Sequence, residues 1–95
     1  MNATKLNRQA GRFLHYLRRH SGKDSHGCAQ TRSGLSKEIG ITVTELAVVE
    51  AELIRAGLVG VPVRQPDGED EYCHWVLSGR AWDIPIAFLP NWRQP

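Results

Sequence analysis

Cysteine is scarce in this 95-residue chain, with only Cys28 and Cys73 present. Two thiols cannot build the disulfide framework of a small secreted fold, so the structure has to rest on a hydrophobic core. Long apolar runs are also missing. The longest, Leu58 to Val63, is interrupted by Gly60 and Pro62 and falls far short of the ~20 residues a membrane helix needs, so no membrane association is expected. The opening MNATKLNRQAGRF offers no apolar stretch to act as a secretory signal, and a reducing, cytoplasmic setting is the expectation. Glycine-rich phosphate loops are absent. Asp24, Ser25 and His26 are neighbours in a loop-like segment, which does not supply the fixed geometry that an activated nucleophile requires. The expectation is therefore a protein that is not an enzyme and carries no cofactor.

What is present fits one small α+β domain. The chain is 41% hydrophobic and 23% charged, and a domain of this size buries roughly 60–65% of the surface its unfolded form exposes, around a single modest core. The net charge of +2 conceals a segregation. Residues 1–37 carry eight cations against Asp24 alone, residues 38–71 carry eight acids against Arg55 and Arg64, and the remainder carries Arg80 and Arg93 against Asp83. One end of the chain is thus basic and the middle acidic.

Leu6, Ala10, Phe13, Leu14 and Leu17 recur at helical spacing and predict an amphipathic helix from about Thr4 to Arg19. The segment HSGKDSHGCAQ, residues 20–30, has no period and reads as a loop, with a short strand at its end. Thr31 or Ser33 caps a short second helix that holds Leu35 and Ile39 and stops at Gly40. Thr42 and Glu45 form a capping box that starts a third helix near Val43, with Leu46, Val49, Leu53 and Ala56 on its buried stripe and Gly57 as its stop. Glu50 falls close to that stripe, where a carboxylate needs a cation from the first or second helix.

Val59, Val61 and Val63 then alternate like a strand, which Pro62 confines to an edge or a bulge. Pro66, Asp67 and Gly68 turn the chain and Tyr72 to Leu77 return it, so residues 59–77 read as a hairpin. Trp82, Ile84, Ile86, Phe88, Leu89 and Trp92 crowd a tail whose prolines predict an extended path. The division is a domain at 1–79 and a tail at 80–95 that packs on that domain or on a second subunit.

Helix, loop, short helix, tight turn, longer helix and hairpin is the order of a winged helix-turn-helix domain, and GLSKEIGITVTELAVVEAELIRAGLV, residues 34–59, resembles that family. The resemblance covers about residues 4–79. It implies a small DNA-binding transcriptional regulator, with the third helix in the major groove, the second helix against phosphates and the hairpin as a wing. Arg32, Ser33 and Lys37 are then the phosphate contacts of the second helix. Thr42, Thr44, Val48 and Arg55 are candidates on the third helix, and Arg64 on the wing.

A second reading is a winged-helix module that binds protein and not DNA, because Asp67, Glu69, Asp70 and Glu71 make the wing tip acidic and Glu45 and Glu52 flank the third helix. Duplex DNA or a protein at the acidic wing are thus the alternative partners. A homodimer is also expected, with the tail residues Trp82, Ile84, Ile86, Phe88, Leu89 and Trp92 lying along Phe13 and Tyr16 of a partner. His26, Cys28, Cys73 and His74 are zinc-ligand types, yet Cys73 and His74 point to opposite faces of a strand, so no metal site is expected.

Overall fold

Thr42 marks the sharpest boundary in the chain. Its Oγ1 accepts from the Glu45 amide at 3.0 Å while Glu45 Oε1 accepts from the Thr42 amide at 2.8 Å, which completes the expected capping box. Two orphan amides are thereby satisfied and α3 (Val43–Arg55) begins. It ends at Gly57, where φ is 74° and the Gly57 and Leu58 amides donate back to Ile54 and Leu53 carbonyls. Gly40, at φ 73°, closes α2 (Arg32–Ile39) in the same way. Thr31 caps α2, its Oγ1 accepting from the Gly34 amide at 3.1 Å.

The computed structural model describes residues 6–21 and 27–93. α1 runs Arg8–His20 from an Asn7 cap whose side chain accepts from the Ala10 amide. It starts later than the sequence period suggested, because the Asn7 side chain accepts from the Ala10 amide and so sets the boundary. The expected start at Thr4 lies outside the described residues, as do Lys5, Lys23, Asp24, Ser25 and His26.

β1 (Cys28–Thr31), β2 (Val63–Asp67) and β3 (Asp70–Trp75) form an antiparallel sheet in the order β1-β3-β2. The ladder of the hairpin starts at Val63 and not at Val59. Val59 makes only an isolated bridge to Leu77, whereas Val63 pairs with His74, so residues 60–62 oppose residues 75–76. That one-residue bulge accommodates Pro62, which has no amide to donate, and β2 is an edge strand.

The tail is not extended throughout. α4 (Gly79–Asp83) forms one helical turn before Pro85, and a 3₁₀ turn at Ile86–Phe88 fits between Pro85 and Pro90. The proline pattern hid this, since a proline forbids helix only where its missing amide or its ring meets the preceding turn.

Phe13, Leu14 and Leu17 of α1, Leu35 and Ile39 of α2, Leu46, Val49 and Leu53 of α3, and Cys73 and Trp75 of β3 form one buried core. Phe13 meets Trp75 edge to face at 5.7 Å. Among the described residues no helix is long and apolar enough to cross a membrane.

The tail folds back over α1. Arg12 Nη2 donates to the carbonyls of Ile39 and Trp92, Arg18 Nη1 donates to those of Ala81 and Ile84, and His15 Nδ1 lies 2.8 Å from the Pro90 carbonyl oxygen. Tyr16 is buried between its own His20, stacked at 4.0 Å, and its own Trp92, edge-on at 5.0 Å. This corrects the expected dimer contact, because Phe13 and Tyr16 are covered within their own chain. Leu89 and Trp92 are covered with them, Trp82 and Ile84 are half-buried, and only Ile86 and Phe88 stay exposed.

Candidate functional site

The outer face of α3 is a regular surface that the core does not claim. Leu46, Val49 and Leu53 turn inward, and helical geometry leaves Thr44, Ala47, Val48, Ala51 and Arg55 outward. All five are exposed, Val48 to 62%. Only short side chains occupy this face before Arg55, so it is shallow. The expected position of Thr44, Val48 and Arg55 on one surface therefore matches the structure. Lys37 of α2 is exposed as well. Thr42 lies at the start of the face, but its hydroxyl is held by the Glu45 amide.

The other expected phosphate contacts are turned elsewhere. Arg32 is 7% exposed, and its Nη1 lies 3.2 Å from Glu50 Oε2 and 3.7 Å from the Cys73 sulfur. Its Nε lies 3.8 Å from Glu71 Oε1. Arg64 donates from Nη2 to Glu50 Oε1 at 3.1 Å. Ser33 donates its hydroxyl to Asp70, whose other oxygen accepts from the Ser33 and Glu71 amides.

Glu50 accounts for the positions of Arg32 and Arg64, as Asp70 does for that of Ser33. Glu50 is 3% exposed, and a carboxylate taken out of water must be met by charge and hydrogen bonds. Arg32 supplies the second-helix cation that the sequence required, and Arg64 adds a second one from the hairpin. Desolvation pulls the Arg32 guanidinium down, but its bonds to Glu50 and Cys73 outweigh that and raise it above its ordinary value. Asp70 is held below the usual carboxylate range, first by the Ser33 hydroxyl and then by the Glu71 amide.

Asp70 has a further consequence for phosphate binding. The amides at the start of α2 favour an anion, and the protein's own hairpin supplies one there. With Arg32 and Ser33 held, the exposed acids Glu38, Glu45, Asp67 and Glu69 stand beside Lys37, Arg55 and the half-exposed Arg64. Among the described residues, the exposed charges of α2, α3 and the hairpin are thus of both signs. Glu52, read from sequence as a repulsive group, accepts from the backbone and side-chain nitrogens of Asn7 at 3.2 and 2.7 Å and joins α3 to the start of α1.

Of the four arginines on α1, Arg12 and Arg18 are turned onto tail carbonyls, while Arg8 and Arg19 are exposed. Trp75 is the partner that sequence reasoning missed. Its indole donates to Glu50 Oε2 at 2.5 Å, and a tryptophan on the core side of a strand was the available signal, because its N–H needs an acceptor when buried. Cys73 and His74 do face opposite sides of β3, and Cys28 pairs in register with Trp75 and not with Cys73. Both thiols are free and buried, and burial pushes Cys28 up to about 11.

No protein-family model, curated protein or solved structure matches this chain.

Proposed function

We propose that the chain is a winged helix-turn-helix module, a small transcriptional regulator that docks α3 on duplex DNA. The observation that carries the reading is the open face of α3. A thirteen-residue helix, held by a capped turn to α2 and flanked by the β2–β3 hairpin, presents no long side chain that would keep it out of a major groove. Thr44, Val48 and Ala51 meet thymine methyl groups, Arg55 reads a base edge, and Lys37 contacts phosphate. With about two cations engaged, one copy should show a salt slope of roughly −2 in log K against log salt.

A second reading is favoured by the internal use of Arg32, Ser33 and Arg64. On that reading the same shallow face, rimmed by Glu38, Glu45 and Glu69, docks a protein whose own rim is basic. Titration of labelled duplex pools at 50 and 200 mM salt tests the first reading. Binding that weakens with salt and is lost in Arg55→Glu supports it. Absence of binding at the lower salt overturns it in favour of the protein-docking module.

A further inference from the structure

Phe88 is the most exposed large apolar side chain described, at 78%, and it stands on the 3₁₀ turn between Pro85 and Pro90. Phe88 stands on the edge of a groove of about 460 Å³ that is lined by Leu6, Gly11, Ile84, Pro85 and Leu89, with Arg8 also in its lining. Since a cavity of ~150 Å³ accepts a benzene ring, this groove has room for a phenyl side chain and more. The fold therefore carries an apolar knob and an apolar hole side by side, and the knob is not in its own hole.

The rim of the groove carries Arg80 and Asp83, which lie three residues apart on α4. Among the described residues neither has an ion-pair partner. Opposite charges at that spacing on one short helix are self-complementary about a two-fold axis: with two copies of α4 antiparallel, Arg80 of each faces Asp83 of the other, twice.

We infer that the tail is a homodimer surface in which Phe88 of each copy enters the groove of the other, with reciprocal Arg80–Asp83 pairs closing the rim. The occupant of the groove is a second copy of this chain. Apolar knob, matching hole and paired charges occur on one continuous surface, as an isologous contact requires. The arrangement differs from a tail lying on Phe13 and Tyr16 of a partner, since those residues are covered. It stands whether α3 docks on DNA or on protein. It also gives the DNA reading what a single copy lacks, because two copies double the cations applied to one duplex.

Analytical ultracentrifugation of the full chain tests it, with circular dichroism confirming that each variant is folded. The expected result is a dimer whose Kd rises by about tenfold or more in Phe88→Ala. Arg80→Asp and Asp83→Arg should each weaken it, while the double exchange in one chain, or an equimolar mixture of the two single variants, should restore it. A full chain that stays monomeric at 100 µM overturns the proposal. So does a dimer indifferent to Phe88→Ala, or charge variants that are not rescued by exchange.

Discussion

The indole N–H of Trp75 points at Glu50 Oε2 from 2.5 Å, which places a carboxylate inside the core and not at its margin. The same carboxylate receives Arg32 from the start of α2 and Arg64 from β2. One side chain of α3 therefore fixes the positions of α2 and of the hairpin relative to α3.

Removing that carboxylate should be costly. Glu50→Ala leaves Arg32 buried without its partner and is expected to destabilise the fold by about 3–5 kcal/mol, measured as a lower urea midpoint at unchanged slope. Arg32→Met combined with Glu50→Leu replaces the pair by apolar volume and should recover much of the loss. A double variant no more stable than Glu50→Ala would show that the charge itself is required.

Three cations should separate cleanly in DNA binding. Lys37→Ala is expected to lower the salt slope by about one on every duplex, since it contacts phosphate. Arg55→Ala should narrow the difference between a selected and an unrelated duplex by about 1–3 kcal/mol. Arg32→Met should lower stability and leave the affinity of the folded protein unchanged. Fluorescence anisotropy on two duplexes at three salt concentrations reads all of these, and equal effects of the three substitutions would contradict the division.

Boundaries written in local chemistry were legible in the sequence. Thr42 with Glu45, Gly40 and Gly57 act through bonds spanning a few residues and the structure uses each as read, while of the two caps open for α2, Thr31 and Ser33, it uses Thr31. The need of Glu50 for a cation was legible for a related reason, because helical angle alone places it against the core. The destination of the arginines was not. Arg12, Arg18, Arg32 and Arg64 have long side chains whose partners lie far along the chain, and a charge plot cannot distinguish a guanidinium facing a distant carbonyl from one facing water. The exposure of Thr44, Val48 and Arg55 on α3 was legible from helical angle, while the partners of Arg32, Ser33 and Arg64 were not, because Asp70 and Glu50 reach them only in three dimensions.

Gly11 tests the seat of the tail. A Cβ at this position would lie 2.7 Å from Pro90 Cδ. Alanine in a helix interior is worth up to about 1 kcal/mol over glycine, but overpacking against a rigid ring costs about 1–3 kcal/mol. Gly11→Ala should therefore be net destabilising, with faster amide exchange across residues 86–92. A more stable variant would show that the tail yields freely.

The thiols predict an alkaline limit. Burial pushes Cys28 from its ordinary 9 up to about 11 and raises Cys73 as well. Between those values the unfolded chain has lost a proton that the folded chain keeps, so stability should fall as pH rises from about 9 to 11. Tyr16, raised by burial, acts in the same sense. Stability measured across this range should decline less in Cys28→Ala than in the parent. In native protein both thiols should react with a disulfide reagent far more slowly than in urea.

The fastening of the tail has a consequence for how this chain can diverge. Arg12 and Arg18 grip main-chain oxygens of Trp92, Ala81 and Ile84, groups that every amino acid provides. A latch of this kind recognises the path of the tail and not its spelling. Exposed positions such as Ile86, Ala87 and Phe88 are thereby released from the duty of holding the segment in place, and descendants of this sequence can rewrite them, and with them the choice of associate, while the domain beneath stays as it is.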